Sequence, residues 1–170
     1  AHFFEGAVQL RWLIERTHQA QQAAEAFVFH GPRYHAARDA EADGFDRQYR
    51  LKDTASFVND LLASLQAGLR GEEQNPYWLV IAGYGAGKSH LALTCATLLS
   101  QPHTELSSVI TQHLKQADTE LGLKVESYLQ QLSQPALVLT LDGMAGFHLG
   151  NALTQAALTQ LKLQGIDTGA

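Results

Sequence analysis

The sequence predicts an α/β fold with parallel strands, preceded by a mainly helical N-terminal segment, and three observations predict it. Two short apolar runs, residues 77–82 (YWLVIA) and 136–142 (ALVLTLD), have the continuous, β-rich character of strands buried on both faces. Each is followed by a glycine-bearing loop and then by a helical pattern, the order expected of parallel strands with crossover helices. The loop after the first run reads GYGAGKS, in which alternate glycines lead directly into a lysine and a serine.

The bulk composition fits such a core. The chain has 170 residues, 45% hydrophobic and 17% charged, ordinary values for a soluble globular protein with one sizeable core. A net charge of −5 argues against a broad basic face for wrapping DNA. Cys95 is the single cysteine, which excludes a disulfide framework and a cysteine-based metal site, and makes a reducing cytoplasm the simplest compartment. No apolar run approaches the roughly 18 residues of a membrane span, so no membrane association is expected. Met144 is the only methionine and residue 1 is alanine. The chain therefore reads as a piece of a longer protein, incomplete at its C-terminus.

Taken in order, residues 3–28 predict a helix, with Val8, Trp12, Leu13, Ala20, Ala23, Ala24 and Phe27 on its apolar side. Gly31-Pro32 breaks it, and the tract to Arg50 balances arginines against acids as a solvated connection. Asp53 or Thr54 is placed to cap a second helix, whose Val58, Leu62, Leu65 and Leu69 follow i, i+4, i+7 and i+11. That helix should stop at Gly68 or Gly71. After the first strand, residues 88–100 predict a helix with Leu91, Ala92, Cys95, Leu98 and Leu99 inside. Helices over 105–116 and 119–132 follow, burying Val109, Ile110, Leu114, Leu121, Val125, Leu129 and Leu132. The second strand comes next, then a helix over 149–163. The natural division is a helical segment with its loop, 1–52, and the first part of a nucleotide-binding domain, 53–170.

A phosphate loop needs backbone N–H groups curled around an anion, glycines that permit that curl, and a helix N-terminus behind them. Gly83, Gly85 and Gly87 supply the permissive backbone, with Tyr84 and Ala86 between them. Lys88 is placed to reach the β- and γ-phosphates, and the Ser89 hydroxyl to ligate Mg²⁺. The strict spacing G-x-x-x-x-G-K-[ST] would put glycine where Ala82 stands. Alanine is the smallest substitute and Gly83 is adjacent, so the departure weakens the textual match more than the physical one. These features point to nucleotide binding, with the Ser89 hydroxyl as a ligand for Mg²⁺.

Asp142, at the end of the second apolar run, is the candidate carboxylate for the Mg²⁺ water shell. Gly143 follows it rather than a water-activating glutamate, and the same strand also suits a non-catalytic position, so a structural role stays open. The eight histidines are scattered, and His30 and His35 lack partners at metal-ligand spacing. His90 closes the motif; packing or capping suits it better than catalysis. His148 follows a strand-end loop that could face the nucleotide, Tyr84 sits at the loop's crest, and Lys52 lies upstream of the first strand. Cys95 reads as a small buried hydrophobe.

The stretch YRLKDTASFVNDLLASLQAG, followed by NPYWLVIAGYGAGKSHLALTCATLL, resembles the nucleotide-binding region of large bacterial phage-defence P-loop ATPases. These are the BREX BrxC/PglY type, which are AAA-like. The likeness lies in the histidine after the serine and in an upstream helix opening at a D-T pair. It covers residues 49–100 well and 101–163 in pattern only. The resemblance implies ATP as the nucleotide and Gly83 to Ser89 as its phosphate site, with Lys88 and Ser89 in the roles given above; the nucleotide contacts are expected to run on to His90, with Lys88 as the catalytic lysine. It also implies self-assembly and work beside other defence proteins that act on DNA. Phosphorothioation-linked restriction ATPases and STAND-type signalling ATPases are not separated from it on this segment. Two other functional classes compete. A small-molecule P-loop kinase would need an arginine-rich lid, yet Lys115, Lys124 and Lys162 are the only lysines or arginines after Ser89. A nucleotide-gated scaffold would bind ATP without turnover, and kinetics alone separates it from an ATPase.

Overall fold

Helices carry this fold. The computed structural model describes residues 7–32, 53–72, 78–80, 85–141 and 148–166, and among them seven helices form and no strand does. They are α1 (Trp12–Glu15), α2 (Thr17–Glu25), α3 (Thr54–Leu69), α4 (Lys88–Ser100), α5 (Glu105–Ala117), α6 (Thr119–Gln131) and α7 (Leu149–Leu163).

The expectation of an α/β P-loop core with parallel strands is therefore corrected. Within the first expected strand, Trp78, Leu79 and Val80 are 38%, 85% and 44% exposed, the opposite of a strand buried on both faces. Within the second, Leu137 and Leu141 are 41% and 39% exposed. Ala136 N–H donates to the Leu99 carbonyl at 2.8 Å, so that segment is tied to the end of a helix rather than to a ladder. A strand exists only through a partner that takes up its backbone donors and acceptors. An apolar run of six or seven residues carries no information about that partner, and its β-rich composition is a local preference that context overrides. Ile81, Ala82 and Asp142 lie outside the described residues.

The helices, by contrast, follow from sequence chemistry. The predicted first helix is two: Arg16, at φ −144° and ψ 58°, separates α1 from α2. Trp12, Ala20, Ala23 and Ala24 are buried as the periodicity requires, and Phe27 is buried just beyond the helix end. Asp53 caps α3, its Oδ1 accepting from Ser56 N–H at 2.8 Å. Val58 and Leu62 sink to 1% exposure, but the stripe leaves the core at Leu69, which is 67% exposed. Gln66 is buried in that helix, and its Nε2 donates to the Tyr128 carbonyl of α6 at 3.0 Å, so the buried amide is satisfied. His30 N–H donates to Thr54 Oγ1 at 2.8 Å and Ala55 N–H to the His30 carbonyl at 3.1 Å, joining the chain after α2 to the start of α3.

α4 is buried on more than one side. It buries Leu91, Leu93, Thr94, Cys95, Ala96, Thr97 and Leu98, more than one face of a helix can hold, because α2 and α5 both pack on it. Two buried threonines are tolerated because their hydroxyls donate back to the His90 and Leu93 carbonyls, each at 2.9 Å. α5 and α6 form a tight hairpin. A single residue, Asp118, ends one helix and caps the next, its N–H donating to Leu114 O at 2.8 Å and its Oδ1 accepting from Leu121 N–H at 3.0 Å. Ile110, Leu114, Val125 and Leu129 fill the hairpin's inner face, and Lys115 pairs with Glu126 at 2.8 Å beside it. Gly122 is required here by proximity: a Cβ at that position would stand 2.6 Å from the Lys115 backbone nitrogen. One cluster joins core residues from α1 and α2 with those of α3 to α6, so the helices on either side of residue 53 share a single core. None of α7's residues is buried.

Candidate phosphate-binding site

The loop and the helix behind it are where chemistry concentrates. Gly85 and Gly87 have φ +76° and +81°, the left-handed region that glycine enters without penalty. A Cβ at either position would meet nothing within 4 Å among the described residues. Glycine is thus demanded by backbone angle and not by crowding. Gly87 is the N-cap of α4, and Leu91 N–H donates to its carbonyl at 2.9 Å, closing the first helical turn.

Helix geometry leaves the first-turn N–H groups without intrahelical acceptors, and the aligned peptide dipoles make that end partly positive. In α3, α5 and α6 a side chain answers them: Asp53, Thr104 and Asp118 accept from Ser56, Ser107 and Leu121. At α4 the N-cap is glycine, which brings no acceptor. Ala86 and Ser89 are exposed and Lys88 is half-buried, so the end of the helix is open to solvent with a cation and a hydroxyl beside it. That arrangement suits an anion. Just upstream, Trp78 stands edge-on to Phe57 of α3, ring centroids 5.5 Å apart at 79°.

His90 is turned to a different task. Its Nε2 contacts the carbonyl oxygen of Ala23, and its ring meets Phe27 edge-on at 4.9 Å and 88°. Phe27 in turn packs on Phe29 at 4.8 Å. The structure thus gives this side chain to α2. Ala23 and Phe27 escape sequence reading as site neighbours, because 67 residues separate Ala23 from His90 and no spacing signals the pairing.

The remaining candidates separate clearly. Gly83, Tyr84, Asp142, His35 and Lys52 lie outside the described residues. His148 is exposed at the start of α7 and makes no side-chain cap. Cys95 is buried, and burial pushes its thiol up to about 12, so it is neither a nucleophile nor a ligand at neutral pH. Among the described residues, no group of three His, Cys, Asp or Glu side chains could hold a metal ion. Of the basic residues after the loop, Lys115 and Lys124 are engaged with Glu126 and Glu120 at 2.8 and 2.7 Å, which removes two cations from any kinase-like lid. A shallow cavity of about 530 Å³, lined by His18, Glu25, Gln101, Thr104 and Glu105, opens beyond the C-terminal end of α4. At about 1.5 Å per residue, the 13 residues of α4 place it some 20 Å from the glycine loop.

Comparison with known protein families, with curated proteins and with solved structures finds no match to the chain. No helix among the described residues is long and apolar enough to cross a membrane.

Proposed function

We propose that residues 83–89 bind the phosphates of ATP, with Mg²⁺, and that the chain is the ATP-binding and ATP-hydrolysing module of a bacterial anti-phage defence complex. The observation that carries the phosphate assignment is the pair of left-handed glycines, Gly85 and Gly87, opening directly onto a helix whose first turn holds Lys88 and Ser89. Of the two flanks the motif is expected to have, the helix after the loop forms and no strand forms at residues 78–80 before it; curled amides, a helix N-terminus and a cation can still hold phosphate. Lys88 supplies a point charge to the outer phosphates and the Ser89 hydroxyl a ligand for Mg²⁺, with Asp142 as the candidate carboxylate beyond them. Bound Mg²⁺ would neutralise charge developing on the transferred phosphoryl group. The defence setting, self-assembly and DNA-acting partner proteins are supported by the resemblance of residues 49–100 to BREX-type ATPases, and the cytoplasmic location by the single cysteine.

Calorimetric titration of ATP–Mg²⁺ into the full chain tests the assignment. Lys88→Ala removes a charge-assisted contact and should weaken binding about ten- to hundredfold. An unchanged Kd would overturn the phosphate site. Phosphate release measured with and without duplex DNA then distinguishes an ATPase from a scaffold that binds without turnover.

A further inference from the structure

The carbonyl that His90 meets is at the C-terminal turn of α2, where helix geometry leaves the last four carbonyls without their usual donors. In a continued helix Ala23 O would accept from Phe27 N–H. Here Phe27 N–H donates to Ala24 O instead, at 3.3 Å. His90 takes the vacated place, so its Nε2 carries the hydrogen and donates. The ring is held in that pose by the edge-on contact with the buried Phe27. One side chain therefore caps the end of α2 while its own backbone lies in the first turn of α4, one residue past Ser89.

We infer that His90 is a positioning residue that couples the phosphate loop to α2: it fixes the first turn of α4 against the end of α2, so that order at one end is felt at the other. The inference rests on the phosphate-binding reading of residues 83–89. Its physical basis is linkage. If the anchored first turn is the form that receives phosphate best, phosphate must in return stabilise the anchor and the α2 terminus it caps.

Hydrogen exchange on the full chain, with and without saturating ATP–Mg²⁺, tests this. In the wild type, ATP should slow exchange both at residues 85–93 and at residues 20–29. His90→Ala should weaken ATP binding about fivefold, keep protection at 85–93 under saturating ATP, and lose it at 20–29. His90→Gln, which retains an N–H donor, should restore part of the α2 protection; a variant that only loosened packing would not be rescued by the donor alone. Wild-type binding without protection at 20–29 overturns the coupling, and this outcome needs no variant to fold. So does protection at 20–29 that survives in His90→Ala. A wild type that binds no ATP overturns the phosphate site itself, a result distinct from either.

Discussion

Replacing Gly87 by alanine tests the site geometry most directly. Gly87 sits at φ +81°, ψ 10°, and an added methyl would meet no atom of the described residues within 4 Å. The substitution therefore meets no clash among the described residues, and its effect follows from the backbone angle. Holding an L-residue in the left-handed region costs about 1–2 kcal/mol. For a chain of this length that corresponds to a fall in Tm of about 2–8 °C. The chain can avoid the cost only by moving Gly87 to negative φ, which swings the loop amides out of line with the helix axis. Gly87→Ala should therefore lose stability, ATP affinity, or a share of each. Gly87→Asn should be milder on both, since asparagine tolerates this region better than other side chains. Thermal unfolding by circular dichroism, paired with an ATP titration, reads the two effects separately. A Gly87→Ala protein unchanged in Tm and in ATP Kd would refute the left-handed geometry and the cradle argued from it.

Two further outcomes are expected. Leu62→Ala, at a position 1% exposed, should cost about 2–5 kcal/mol by chemical denaturation, whereas Leu69→Ala, at 67% exposure on the same stripe, should stay within about 0.5 kcal/mol; similar losses at both would refute the observed exit of that stripe from the core. Cys95 titrates near 12 in the folded chain against an ordinary 9.0, with burial as the first cause. Above pH 9.0 the unfolded chain releases this proton and the folded chain keeps it. Stability is thus full below that pH and falls as pH rises toward about 12, by about 1.4 kcal/mol at one unit above the unfolded value. A Cys95→Ala protein should lack this component of the alkaline decline, and an identical pH profile would refute it.

How far the sequence reveals the molecule depends on whether the signal is local. The bounds of α4 and α7 are read from periodicity and punctuation alone, and the cap of α3 is narrowed to Asp53 or Thr54, because caps and apolar stripes involve residues within a turn or two. The left-handed glycines of the loop are likewise legible, since their spacing and the lysine after them have a conformational reason. Non-local features are not. The composition of residues 77–82 and 136–142 suggests strands, but pairing is a property of two segments, and Leu79 and Leu137 face solvent. On α4 the predicted apolar side includes Ala92, which is exposed, and omits Leu93, Thr94 and Thr97, which are buried. A helix enclosed from several directions has no single face to read, and threonines that satisfy themselves on the helix's own carbonyls do not announce their burial. The role of His90 depends on an α2 terminus far away in sequence.

The α5–α6 hairpin bears on how the chain finds its fold. Its connection is the lone Asp118, which serves both helix ends, and at Gly122 the two backbones come close enough to exclude a methyl group. Bringing these helices together closes almost no loop, so little chain entropy opposes their meeting. Contacts of such short sequence separation are the kind that form fast. The remaining core must wait for longer-range encounters, among them His90 with Ala23. The hairpin is thus the natural first surface on which α3 and α4 assemble, and the contact of His90 with Ala23 beneath the glycine loop is among the later ones to close.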